Sequence, residues 1–369
     1  MQITINRRSA QIPGSIIMHL IEKITLTMLK YLNPEHAHFL VLRLLRYKLF
    51  PKVKTYKSRL LEVNLAGLNL ENPIGLAAGF DKNAEAVNTL SKVGFGFLEV
   101  GGVTPLPQYG NEKPRIFRLQ RDRAIINRLG FNNKGMDFVK KKLILRDCSI
   151  PIGINLGANK DSDNRIMDYS KVLMTCGDFV DFATLNISSP NTKNLRELQT
   201  AKNLKNLLSE LEKARAKLIK NIPIFVKISP DLSDQSLTEL IEVISHSKVD
   251  GIIATNTTLS RDNLISNSKS EIGGLSGKPL KRVSTEIIAK ISHATNGELP
   301  IIGVGGVCSA EDAYEKICAG ASAIQLYTGL VYNGFTVVNE ICFELEKLLL
   351  ADDHNSIASA IGSKRSDWL

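Results

Sequence analysis

Short apolar runs rich in Ile and Val recur from residue 74 onward, helix-forming stretches separate them, and eight such alternations fit before residue 350. These observations predict an α/β fold, a (β/α)8 or TIM barrel, here with an N-terminal amphipathic two-helix extension. The strand runs are 74–77, 97–101, 152–156, 179–185, 224–228, 251–254, 301–304 and 323–326. They are almost continuously apolar, as parallel strands covered on both faces must be. Helical stretches between them include 84–93, 134–145, 201–220, 236–245, 284–294, 310–319 and 335–350. Residues 60–70, ahead of the first strand, read as a lid on the barrel bottom. Residues 261–274 are rich in Ser and Asn and read as a long loop over the site. The division expected is a helical segment 1–60, a barrel 61–351 and a polar C-terminal tail 352–369.

The extension carries most of the charge. The 369 residues have a net charge of +10. Residues 1–60 hold eleven Lys and Arg against Glu22 and Glu35, a net of +9, which leaves +1 for the body. A nearly neutral body argues against nucleic acid as its partner. Ile16, Ile17, Leu20, Ile21, Ile24, Met28 and Tyr31 lie at helical spacing. Asn33-Pro34-Glu35 then supplies an N-cap, a proline at the first helical position and an acid in the first turn. A second helix is predicted over 34–50, followed by the basic linker residues Lys52, Lys54, Lys57 and Arg59. Two readings stand: a helical pair packed on the body, or an interfacial anchor with its apolar face in lipid. At roughly 1 kcal/mol per basic residue near an anionic leaflet, +9 favours such a surface. No run approaches the roughly 18–20 apolar residues of a membrane span. No secretory signal is evident. The five cysteines form no C-x-x-C pair, so neither a zinc site nor a disulfide framework is expected.

A barrel's chemistry sits at the C-terminal ends of its strands. Asn127, Asn155, Asn186, Asn191 and Asn256 fall at such ends or in their loops. Asparagine presents both a donor and an acceptor, so this ring suits a ligand with alternating N–H and C=O groups, such as a pyrimidine or a flavin edge. Lys227 ends a strand and can oppose developing negative charge, and Lys82 can do the same for a carboxylate or phosphate. Gly303-Val304-Gly305-Gly306 and Tyr327-Thr328-Gly329 occupy the two loops where barrels commonly hold phosphate. No facing carboxylate pair supports a glycosidase, and no histidine cluster supports a metal. His246 and His293 read as surface residues. At this level a flavoenzyme, a lyase using Lys227 as a Schiff base and a non-catalytic scaffold all remain open.

Longer strings narrow the choice. AAGFDK (77–82), GVTPLPQYGNEKPRIFRL (102–119), INRLGFNN (126–133), GINLGANK (153–160), LNISSPNT (185–192), VKISPDL (226–232), ATNTT (254–258), GGLSGKPL (273–280), GVGGV (303–307) and QLYTG (325–329) resemble the dihydroorotate dehydrogenase family, from about residue 30 to 350. Ser189 and the basic leader resemble its class 2 branch, which is membrane-associated and quinone-linked; class 1 members carry cysteine at that position. The resemblance implies oxidation of (S)-dihydroorotate to orotate in pyrimidine biosynthesis, with one FMN per chain accepting hydride and a membrane quinone as final acceptor. It implies FMN contacts at Ala78, Gly79, Lys82, Gly102, Asn127, Asn155, Asn186, Lys227, Thr255, Gly277, Gly306, Tyr327 and Thr328. Dihydroorotate would be held by Lys82, Asn127, Arg128, Leu129, Gly130, Phe131, Asn186, Asn191, Asn256 and Thr257. Ser189 would take the C5 proton. His38 and Arg118 would line the quinone tunnel between the leader helices, with Tyr327 at its border. One departure is Gly102, where the family usually has Thr or Ser against the flavin. The protein is expected as a monomer, peripheral on the cytoplasmic face of a bacterial inner membrane or, alternatively, on a mitochondrial inner membrane.

Overall fold

The computed structural model describes residues 16–49, 55–192 and 195–369. Arg7, Arg8, Lys52, Lys54 and the predicted helix end at residue 50 lie outside the described residues, as do the side chains of 16–19. Eight parallel strands close into a barrel in chain order: β1 (Ile74–Leu76), β2 (Phe97–Val103), β3 (Ile152–Leu156), β4 (Phe182–Asn186), β5 (Ile224–Ile228), β6 (Gly251–Ala254), β7 (Ile301–Val304) and β8 (Ala323–Leu326). Five of them, β3 and β5 to β8, have the bounds expected from their apolar runs.

The barrel has an aromatic floor. Phe97, Phe182 and Phe225 meet edge to face at 6.0 and 5.8 Å between centroids. Each ring faces a glycine on a neighbouring strand. A Cβ added at Gly75, Gly153 or Gly251 would lie 2.3 Å from Phe97, 2.1 Å from Phe182 or 2.6 Å from Phe225. The glycines therefore make room for the rings. Side chains two residues apart share a strand face, so Glu99, Thr184 and Lys227 form the next layer, above the floor.

Two of the differences from the predicted elements have a clear local cause. The strand expected from residue 179 begins at Phe182, because Gly177–Phe179 forms a 3-10 turn and Asp181 is spent on Arg146, 2.8 Å away, and on the Ile152 N–H. The helix expected over 84–93 shrinks to Val87–Leu90. Buried Asp81 explains this: its carboxylate accepts the N–H groups of Asn83, Glu85 and Ala86, which holds the chain in a turn.

Five strands outside the barrel, among the described residues, were absent from the sequence prediction; three form one sheet and two a hairpin. Ile116–Leu119, Ala124–Asn127 and Gly274–Gly277 form an antiparallel sheet with Ala124–Asn127 in the centre. The loop before the third strand is pinned. Arg261 donates to the carbonyls of Glu271 (2.9 Å) and Gly273 (2.5 Å), and Asp122 accepts the Ile265 and Ser266 N–H groups at 3.0 Å. Residues 60–70 contain a hairpin, Val63–Leu65 against Leu68–Leu70, whose Leu65 and Leu70 join the main core. Residues 352–369 fold back on the barrel: Ile357 is fully buried and the Lys364 N–H bonds the Cys318 carbonyl at 3.0 Å.

The leader forms α1 (Ile16–Tyr31) and α2 (Pro34–Arg46). The Asn33 side chain caps α2 by accepting the Glu35 and His36 N–H groups. Polar fastenings hold the pair to the barrel. Glu22 of α1 accepts the Thr336 hydroxyl (2.5 Å) and the Phe335 and Thr336 N–H groups. Arg118 donates to the carbonyls of Leu29, Lys30 and Leu32 at 2.9–3.3 Å, closing the C-terminal end of α1. Buried Glu35 of α2 pairs with buried Arg115 at 2.7 Å. Leu20, Ile24, Met28, Tyr31, Phe39 and Leu40 remain exposed. Among the described residues no helix is long and apolar enough to cross a membrane.

Candidate active site

One cavity of about 500 Å³ joins the C-terminal mouth of the barrel to the gap between α1 and α2. Of the residues proposed from the sequence, Arg128 alone is off its wall. The Arg128 guanidinium instead reaches the 261–274 loop, bonding Glu271 at 2.7 Å and the Ile272 carbonyl at 3.0 Å, and it lies over the Phe117 ring. A substrate contact from that side chain is not what this geometry places there. Leu129, Gly130 and Phe131, next along the chain, do reach the wall.

The asparagines converge as expected and also bond one another. Asn155 Nδ2 donates to Glu99 at 2.7 Å, Asn186 Nδ2 to Asn155 Oδ1 at 2.9 Å, and Asn256 Nδ2 to Asn186 Oδ1 at 3.2 Å. Asn191 Nδ2 donates to Asn127 Oδ1 at 3.2 Å. Glu99 was missed by sequence reasoning. It is wholly buried, and its second oxygen accepts Gln325 Nε2 at 2.5 Å. A carboxylate can only accept, so it fixes which end of the Asn155 amide faces it. The signal was legible: an acid inside the apolar run FLEV. Burial lowers the pKa of the facing Lys227 amine, and the Glu99 charge pulls it partly back up.

Ser189 is 8% exposed, and its oxygen accepts the Asn191 N–H at 3.3 Å. The loop that carries it is clamped by Arg196, another residue the sequence did not single out. Arg196 donates to the carbonyls of Ser188 (3.2 Å) and Thr257 (3.3 Å) and pairs with Asp231 at 2.8 Å. It thereby ties together the loops after β4, β5 and β6. Nothing in the local pattern around Arg196 distinguishes it from a surface arginine.

At the leader side, His38 packs edge-on against Phe80 at 5.1 Å, and Phe80 in turn meets Tyr327 at 5.8 Å. This aromatic chain runs from α2 to the barrel mouth. Burial, and then the nearby Lys82 charge, push the His38 pKa down to about 3, so the imidazole is neutral at physiological pH. Burial, then Arg115, bring the Lys82 amine down to about 8; its Nζ donates to the Gly79 carbonyl at 2.7 Å. At Gly102 the space a side chain would take is filled: a Cβ there would lie 2.6 Å from the Phe131 ring.

Residues 60–349 match the family described as dihydroorotate dehydrogenase. The chain belongs to the dihydroorotate dehydrogenase family. A relative named dihydroorotate dehydrogenase (quinone) from Cereibacter sphaeroides is 51% identical over 353 residues, 95% of this chain and 100% of that protein. The mouse protein named dihydroorotate dehydrogenase (quinone), mitochondrial, is 45% identical, covering 90% of this chain and 87% of its own length. Among solved structures, DHODH from Eimeria tenella in complex with ferulenol superposes with a TM-score of 0.87 at 39% identity, covering 92% of this chain and 98% of that one. Membership of the dihydroorotate dehydrogenase family sets aside the Schiff-base lyase and scaffold alternatives, and the barrel with its helical extension agrees with the fold expected from the sequence.

Proposed function

We propose that this chain oxidises (S)-dihydroorotate to orotate in the barrel mouth, with FMN as resident hydride acceptor and a membrane quinone as final acceptor. The observation that carries this reading is the single cavity with two chemically different ends. One end is lined by asparagines, Lys82, Lys227 and Ser189, which suits a small polar ring. The other is lined by Leu26, Leu29, Ala37, Val41 and Leu44 of the leader, which suits an apolar ring and tail.

The residues present fit FMN. Thr255 Oγ1 and Gln325 Oε1 are buried on the cavity wall without a hydrogen-bond partner among the described residues, so each is available to a ligand atom. Gly306 has φ +75°, and a Cβ there would lie 2.6 Å from the Lys281 Cα, so only glycine suits this corner. Its loop, with Gly277, Tyr327 and Thr328, would hold the phosphate. Ala78, Gly79, Gly102, Asn127, Asn155, Lys227 and Thr255 would hold the ring system. When bound, FMN supplies the acceptor for the hydride that leaves C6 of the substrate and passes the electrons onward.

The chain's own groups do the rest. Asn127, Asn186, Asn191, Asn256 and Thr257 orient the substrate ring, and Ser189 takes the C5 proton. A serine is a weak base in water, so its own hydroxyl proton must leave through a water or relay as it takes the C5 proton, and its burial keeps bulk solvent out. Neutral His38 can hydrogen-bond a quinone carbonyl in the tunnel. Arg118 borders the same tunnel while it caps α1. The exposed apolar face of the leader and its basic surplus support peripheral attachment to the membrane that holds the quinone. The protein would act there as a monomer.

The purified full chain should absorb in the visible as a flavoprotein. Dihydroorotate should bleach that band, and a short-chain quinone should restore it. A colourless preparation, or a band that dihydroorotate leaves intact, overturns the proposal. A second expectation concerns pH. Lys82 can grip the substrate carboxylate only as a cation, and its pKa lies near 8. Above that value the KM for dihydroorotate should rise by about tenfold per pH unit, as expected for loss of a single protonated form. Lys82→Met should raise KM and flatten the profile. A Lys82→Met chain with the KM of the unaltered chain excludes this role.

A further inference from the structure

Lys316, on the helix Ala310–Ala319, is wholly buried and takes no part in the chemistry above. Its ammonium donates to three neutral oxygens: Ser284 Oγ at 3.0 Å, Thr285 Oγ1 at 3.0 Å and the Lys281 carbonyl at 3.3 Å. All three belong to the first five residues of the helix Lys281–Ala294. The nearby carboxylates of Asp312 and Glu315 are taken by the Lys281 ammonium, at 2.9 Å each. A buried cation with only neutral partners costs stability, and a positive charge at a helix start is unfavourable as well.

That segment abuts the glycine loop after β7. The Ser284 hydroxyl accepts from Lys316 and donates to the Val304 carbonyl at 2.6 Å. A Cβ at Gly305 would touch Ser284 Cβ at 3.0 Å, and one at Gly306 would lie 2.6 Å from Lys281 Cα. So the bonds from Lys316 lead, in two steps, to the backbone that opens onto the cavity corner at Gly305 and Gly306.

We propose that Lys316 is a positioning residue for the phosphate group of the cofactor: it fixes the first turn of the helix Lys281–Ala294 against the Val304–Gly306 loop and adds a buried positive charge behind it. This rests on the reading above that places a flavin phosphate in that corner. Burial lowers the Lys316 pKa to about 7, and an anion bound at the loop would favour its charged form.

The test is flavin affinity of the full chain, freed of flavin, for two probes: FMN, and riboflavin, which lacks the phosphate. Lys316→Met keeps length and removes the charge. FMN should bind it about tenfold more weakly than it binds the unaltered chain, the scale of one nearby opposite charge, with riboflavin affinity unchanged. The melting temperature of the flavin-free variant should hold or rise, because a buried charge has been replaced by an apolar chain. Lys316→Arg should keep part of the preference for FMN. Equal weakening of both probes, or unchanged FMN affinity, overturns the proposal. So does a Lys316→Met chain that fails to fold, since it would assign the lysine to stability. An unaltered chain that binds riboflavin as tightly as FMN brings down the phosphate reading itself, and this proposal with it.

Discussion

Ser189→Ala should slow dihydroorotate-driven bleaching of the bound flavin by about 10²–10⁴-fold, the usual worth of a positioned general base. The loop around it should survive the change. Arg196 holds the Ser188 and Thr257 carbonyls, and Asn111 Nδ2 holds the Asn191 carbonyl at 3.1 Å. The lost hydroxyl only accepts one N–H, from Asn191, at 3.3 Å. Orotate affinity should therefore stay within a few-fold while the chemical step collapses. Stopped-flow bleaching separates the two, because it reads the reductive half-reaction without quinone. An unchanged bleaching rate in the alanine variant would show that another group takes the proton. Ser189→Cys, which keeps an ionisable group, should retain more activity than alanine.

The second large effect is on the leader. Arg115→Leu should cost about 3 kcal/mol, as breaking a buried ion pair does, because it leaves buried Glu35 with only the exposed Lys113 ammonium, 3.6 Å away. Arg115 also donates to the carbonyls of Tyr109 (2.6 Å) and Asn111 (2.9 Å), so the loop beside the site loses support too. The pH dependence has a definite sign. Burial raises the Glu35 pKa, but the hydrogen bond and charge of Arg115 outweigh it, with help from Lys113, and the net shift is downward. The pair therefore stabilises the fold fully above the ordinary carboxylate value of 4.5 and is lost as pH falls through the lower folded value. Chemical denaturation at pH 7 should show the full difference between wild type and variant, and the gap should narrow in acid, where the bonds of Arg115 to the Tyr109 and Asn111 carbonyls remain. A variant as stable as wild type at pH 7 would mean that α2 is held by its apolar contacts alone. Quinone reduction should suffer more than bleaching by dihydroorotate, since α2 carries His38.

Much of this was legible in the residues. The apolar runs at 152–156, 224–228, 251–254, 301–304 and 323–326 set five strands to the residue, because buried parallel strands carry their own boundaries as changes of composition. The asparagines and Lys227 were visible because strand ends in a barrel converge. What escaped was decided by long-range partners. The strand Gly274–Gly277 exists because Ala124–Asn127 pairs with it, about 150 residues earlier in the chain. The helix expected at 84–93 gave way to the bonds of Asp81. Arg128 has a charge suited to an anionic substrate, yet Glu271 across the loop claims it. Glu99 could have been read from its position in an apolar strand, whereas Arg196 could not, since its three partners lie on three different loops.

The aromatic floor has a consequence for how the barrel handles charge. Phe97, Phe182 and Phe225 form a layer with no polar atoms directly beneath Glu99 and Lys227. Such a layer acts as an insulator. It polarises little, and low-dielectric walls focus field lines toward the open side. The fields of the buried carboxylate and ammonium are thus directed upward, into the space where a ligand would lie. Three glycines, by making room for three rings, give this barrel a directional electrostatic base as well as a packed core.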